Sequence, residues 1–236
     1  MTNDPKKIEI VPAILPKSYD DMRALLSLIS DVVPVVQIDV IDGVYAPNKT
    51  WPYKGDQSFE RIVAGDEGMP FWDTVEFEFD LMVTSPAEEV VRYVAAGAAR
   101  MVIHEHSPHA LGALEALRAL RAEGSFNGEI GIAIRVDATV ADLDPFEAQF
   151  EYVQIMGIDR IGFQGQQFDE RAFSLIKEVR AQYPHISIQV DGGVTVERAG
   201  ALVRAGANRL IAGSAIFSST NPERAYAQLL RAATLQ

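Results

Sequence analysis

Short apolar runs alternate along this chain with longer amphipathic stretches, and the alternation repeats eight times. The apolar runs fall at 8–15, 35–41, 75–82, 100–104, 130–136, 152–156, 186–190 and 209–212. Their length and their Val, Ile and Phe content mark them as buried strands. The stretches near 19–32, 59–64, 87–96, 110–122, 140–146, 170–182, 196–205 and 222–232 read as helices that bury one face. Ser85-Pro86-Ala87-Glu88 sets a capping hydroxyl, a first-turn proline and a glutamate at a helix start. Asn221-Pro222-Glu223 repeats that logic. Gly97, Gly124 and Gly206 stand just past helical runs, where a left-handed residue ends a helix.

Strict strand–helix alternation predicts a parallel sheet covered by helices, and eight units predict a closed (β/α)8 TIM barrel, one α/β domain over 1–236. An open doubly wound sheet would carry a glycine-rich turn after an early strand. The first strand here runs into Pro12-Ala13-Ile14-Leu15-Pro16, which cannot make that turn. The longest irregular stretch, 42–58, follows the second strand, where barrels keep substrate loops. Trp51-Pro52-Tyr53 within it suits either a lid or a packing plug.

Charge narrows the partners. Acidic residues number 33 against 21 basic ones, a net charge of −12, which argues against nucleic acid or an anionic membrane surface. The absence of cysteine excludes disulfides and thiolate metal sites. No apolar run reaches the ~20 residues of a membrane span. Residues 1–7 lack the apolar centre of a signal peptide, so the expected location is the cytoplasm. The oligomeric state is left open, a homo-oligomer included.

The chemistry-bearing residues cluster at strand ends. Asp191-Gly192-Gly193 closes the seventh strand and Gly213-Ser214 the eighth. Glycines there let backbone N–H groups approach an anion, and barrels often hold phosphate after these two strands. Gly162-Phe163-Gln164-Gly165-Gln166 follows the sixth strand and can wrap the same phosphate. Gln37 and Asp39 are two apart and share a strand face, as do Glu78 and Asp80. If Asp39, Asp80 and Asp191 all point into the barrel mouth, three acids converge there. Like charges in one cleft call for a cation, an arginine or a retained proton. His104 and His106 alternate on a strand. His104 is expected as a hydrogen-bonded core residue, and His109 and His185 as surface residues.

These motifs resemble those of the ribulose-phosphate 3-epimerase family. The resemblance rests on residues 36–43 (Val-Gln-Ile-Asp-Val-Ile-Asp-Gly) with Pro47-Asn48 following, on Asp80-Leu81-Met82-Val83, on 162–168, on 190–194 and on 207–217. It begins at Pro12-Ala13-Ile14-Leu15 and runs in order over nearly the whole chain. It implies a barrel that inverts C3 of a ketopentose 5-phosphate, so the implied partner is a small sugar phosphate. Two aspartates act as acid and base on opposite faces of C3, and a divalent metal stabilises the enediolate. The matching aspartates are Asp39 and Asp191, and Met82 and Met156 match methionines that line the metal site. Decarboxylase and synthase relatives carry Asp-x-Lys on the third strand, where this chain has Asp80-Leu81-Met82.

The chain departs from the family at the chemistry. Two histidine ligands of the family pattern are replaced by Gln37 and Asp80, and a first-strand serine by Ala13. Three consequences are open. A metal can persist on Gln37, Asp39, Asp80 and Asp191, in which case all-oxygen ligands favour Mg²⁺ or Mn²⁺ over Zn²⁺ or Fe²⁺. The site can be metal-free, with Arg135 reaching Glu78 or Asp80 to supply the charge. Or the site binds a sugar phosphate without turning it over.

Overall fold

The computed structural model describes residues 7–235. The stretch read for a signal peptide falls almost wholly outside them, as do both limits of the 1–236 domain. Eight parallel strands pair each with the next, and β8 pairs back to β1, closing the barrel. The strands are β1 (Glu9–Ile14), β2 (Val35–Ile41), β3 (Glu76–Met82), β4 (Ala98–His104), β5 (Glu129–Ile134), β6 (Tyr152–Met156), β7 (Ser187–Asp191) and β8 (Arg209–Ala212). The helices are α1 (Tyr19–Leu26), α2 (Ser58–Ala64), α3 (Pro86–Ala95), α4 (Ala110–Ala122), α5 (Arg171–Gln182), α6 (Val196–Ala205), α7 (Ser214–Phe217) and α8 (Pro222–Thr234). The (β/α)8 fold class stands. Among the described residues no helix is long and apolar enough to cross a membrane.

Alternation along each strand splits the molecule into two environments. Outward-facing Ile38, Phe79, Ile103, Ile132, Ile155 and Leu210 are buried under the helices in one large apolar core. The inward-facing positions are unusually polar for a barrel, whose interior is ordinarily layered with Val, Ile and Leu. At the floor, Arg209 bridges Glu9 (3.2 Å) and Glu129 (2.7 Å), and Arg100 bonds Glu9 (3.1 Å). Above the floor stand Tyr152, whose ring lies against Gly131 where any Cβ would overlap it, and the fully buried Glu78.

Two elements depart from the sequence reading. The helix expected over 19–32 stops at Leu26, and turns carry the chain to Val33. Pro34 and the β-branched Val32 and Val33 disfavour a continued helix. The segment Val140–Phe146 is a 3₁₀ helix, with Pro145 inside it and a Thr139–Asp142 capping box at its start. Ser85 precedes Pro86 as expected, but its hydroxyl makes no cap bond. Asn221 does cap, accepting from the Arg224 N–H at 2.9 Å. Gly97, Gly124 and Gly206 all carry the positive φ expected of them. Trp51 is wholly buried against Phe59 and donates to Ser58, so it plugs the β2–α2 loop into the core.

Candidate active site

At the C-terminal ends of the strands a narrow cavity of about 40 Å³ opens. Asp39, Met82, Met156, Gly162, Phe163, Gln164, Gly165, Asp191, Gly192, Gly193, Gly213 and Ser214 all line it, so the expected acid, thioether and glycine residues meet in one place. Ala13 lines it as well, at the position where the family pattern has a serine. Gly192 and Gly193 have φ of 101° and 68°, and a Cβ at either would press on Ile158 or Phe168. Only glycine serves both the turn and the close approach. The loop after β6 is tied to the loop after β2 by Asn48, which donates to the Gly162 carbonyl at 2.9 Å. Gln164 reaches across the mouth and donates to the Ala13 carbonyl at 2.9 Å, and its amide lies over Gly213.

Beneath the cavity three carboxylates converge. Asp39, Asp80 and Asp191 offer oxygens all within 4.8 Å of one another. Burial raises the Asp39 carboxyl well above its ordinary range, and the neighbouring Asp191 and Asp80 add to it. Asp191 rises to about 7, again by burial first and Asp80 second. Two like carboxyls this close and this buried favour retaining a proton between them. Asp80 sits deeper and is held by His104 Nε2 at 2.8 Å and by the Gln154 amide at 3.0 Å. His104 is the core histidine expected. Burial opposes its charge, but Asp80 outweighs that and its pKa is raised. Its Nδ1 is buried without a hydrogen-bond partner.

The acids are joined by amide N–H groups. Gln37 Nε2 donates to Asp39 at 2.8 Å and to Asp191 at 3.2 Å. Gln154 Nε2 donates to Asp80 and lies 3.5 Å from Asp191. Below them Gln189 Nε2 faces the Gln154 oxygen at 2.6 Å, the Glu78 carboxylate at 2.6 Å and the Gln37 oxygen at 3.3 Å. Gln154 and Gln189 were not singled out from the sequence, although the signal was present. Each stands two residues before a mouth residue, Met156 or Asp191, as Gln37 stands before Asp39.

Spacing alone would admit a divalent cation among the three acids. The donor set as it stands does not suit one. Gln37 was expected to offer its oxygen as a ligand, but it turns its NH₂ to the acids and its oxygen to Gln189. An ion held there would meet two N–H donors where hard cations take oxygens. Arg135 does not supply the charge either. It lies just past β5, 39% exposed, and pairs with Asp137 at 3.0 Å, since the chain turns outward there. His106 likewise leaves the strand face, exposed and paired with Glu105.

Comparison with known proteins gives the family. A family model described as the ribulose-phosphate 3 epimerase family matches residues 9–217. The ribulose-phosphate 3-epimerase of Bacillus subtilis is 27% identical over 232 residues, which is 94% of this chain and 98% of its own length. That of Candida glabrata is 26% identical over 223 residues, 90% of this chain and 87% of its own length. Among solved structures, a 3-hexulose-6-phosphate synthase aligns over 95% of this chain and 99% of that one, with a TM-score of 0.66 and 18% identity. KGPDC from Streptococcus mutans in complex with D-R5P aligns over 97% and 98%, with a TM-score of 0.70 and 14% identity. Identity that low speaks for the barrel alone. With the family model matched across all eight strands, this chain belongs to the ribulose-phosphate 3-epimerase family.

Proposed function

We propose that the protein epimerises a ketose phosphate at C3, with Asp39 and Asp191 as the acid–base pair. The observation that carries this is the convergence of Asp39 and Asp191 on one cavity, with oxygens within 4.8 Å of each other and burial raising both carboxyls. The C3 proton lies next to the C2 carbonyl, so its removal needs a base and a donor for the developing enediolate oxygen. The ionised aspartate takes the proton from one face. The protonated one returns a proton to the opposite face, which inverts the centre. Direction then follows from which aspartate starts protonated, and the reverse reaction exchanges the roles.

The glycines of the loops after β6, β7 and β8 would take the phosphate. The apolar thioethers of Met82 and Met156 would exclude water beside the reacting carbon. The proton transfers themselves balance between the two aspartates, and the N–H groups of Gln37 and Gln154 hold the acid cluster in place. The test is incubation of chelator-treated protein with ribulose 5-phosphate in deuterated water. Deuterium at C3 and formation of xylulose 5-phosphate are expected. If neither appears, with or without added Mg²⁺ or Mn²⁺, the reading fails for this substrate.

Binding without turnover is the second reading, and the replaced first-strand serine favours it. Calorimetric binding of the sugar phosphate without any C3 exchange would establish it.

A further inference from the structure

We propose that Gln189 is a positioning residue that fixes the polarity of Gln37 and Gln154, so that the acid cluster faces N–H donors and excludes divalent cations. Gln189 is fully buried on β7, one layer below the acids. Its Nε2 carries two hydrogens, and the two 2.6 Å contacts, to the Gln154 oxygen and to Glu78, take them. The Gln37 oxygen stands third, at 3.3 Å. With the Gln154 oxygen bonded to Gln189 Nε2 and the Gln37 oxygen turned toward the same nitrogen at 3.3 Å, both upper amides present NH₂ upward.

The chain of amides has a fixed direction because it is anchored at its base. Turning Gln189 over would set its oxygen against three oxygens, one of them the Glu78 carboxylate. Its present orientation leaves Gln189 Oε1 buried without a partner. Glu78 in turn accepts from Tyr152 at 3.2 Å and lies 3.9 Å from Arg100. Polarity is thus passed from the charged floor through Glu78 and Gln189 to the acids at the mouth. The same side chains turned round would offer two amide oxygens to a cation among three carboxylates.

The experiment is a Mn²⁺ titration followed by electron paramagnetic resonance on chelator-treated protein at pH 7.5. It compares the native chain with Gln189→Met, which keeps the bulk and removes the donor, and with Gln189→Leu as a second packing-compatible variant. Each is read with and without Asp39→Asn. The native chain is expected to show no Mn²⁺ binding that Asp39→Asn removes. Either Gln189 variant is expected to bind Mn²⁺ about 10- to 100-fold more tightly, the range in which partners of first-sphere ligands act. Asp39→Asn should abolish that gain. General loosening of the core would not create a binding site that depends on Asp39. Tight Mn²⁺ binding by the native chain that Asp39→Asn abolishes overturns the proposal, and so does the absence of any gain in both Gln189 variants. The proposal draws on the epimerase reading only for the identity of the acids. Mn²⁺ affinity is measured without substrate, so a failure of turnover on ribulose 5-phosphate leaves this result standing, and the reverse.

Discussion

Asp191 illustrates how a single carboxyl couples stability to chemistry. An aspartate in the unfolded chain titrates near 4, whereas Asp191 in the folded protein titrates at about 7. Between those two pH values the folded state binds more protons than the unfolded state, so stability falls as pH rises from about 4 to about 7. The slope in that window approaches ~1.4 kcal/mol per pH unit for one group. Asp191→Asn removes the titration. We expect its unfolding temperature to exceed that of the native chain at pH 8 and the difference to shrink at pH 5, with C3 exchange down about 10²- to 10⁴-fold. Calorimetry at the two pH values checks it, and an equal loss of stability at both would contradict the assigned pKa. Asp39 and Asp191 were legible in the sequence because the first lies within the last residues of β2 beside Asp42-Gly43 and the second ends β7 beside Gly192-Gly193. Gln154 and Gln189 were not, because a glutamine inside an apolar strand looks like any buried amide until the barrel closes and sets it against its neighbours.

Among the elements, the strands were legible to within a residue or two, since each keeps apolar residues on its outward positions even where the inward ones are polar. The 3₁₀ segment Val140–Phe146 and the early end of α1 were not, because proline and β-branched residues act on the backbone without breaking the apolar spacing. The loop after β6 carries the sharpest prediction at this scale. Its Gln164 lies over Gly213 and closes a cavity that has room for little more than water. A sugar phosphate therefore requires this strap to lift or to exchange its bond with the Ala13 carbonyl for one to the ligand. Gly213 has φ of −94°, which alanine accepts, so Gly213→Ala should cost under ~1 kcal/mol of stability. Its methyl would nevertheless displace the Gln164 amide. We expect Gly213→Ala to weaken binding of ribulose 5-phosphate about tenfold in the native chain and much less in a Gln164→Ala background. A double-mutant cycle by calorimetry measures the coupling. Additive effects of the two substitutions would show that the amide and the glycine act independently.

Taken as one body, the barrel is unusual in carrying charge and amides from its floor to its mouth. The sequence hinted at the mouth alone, because Arg100 and Arg209 look like strand-end residues bound for solvent. Closure instead draws them inward, where Arg209 on β8 joins Glu9 on β1 to Glu129 on β5 across the floor. Arg209 is 5% exposed, and its removal leaves Glu9 and Glu129 to share Arg100, which lies 3.1 Å from the first and 3.6 Å from the second. An ion pair of this kind adds little over an apolar pair of equal volume, but losing one partner strands the other. Arg209→Met is accordingly expected to cost about 1–3 kcal/mol, seen as a lower urea midpoint with an unchanged slope. Adding Glu129→Gln to Arg209→Met should recover part of that loss, because it removes one of the stranded charges. Adding an exposed change such as Glu223→Gln should recover nothing. If both double variants behave alike, the floor is held by packing and the ion network contributes no specificity to barrel closure.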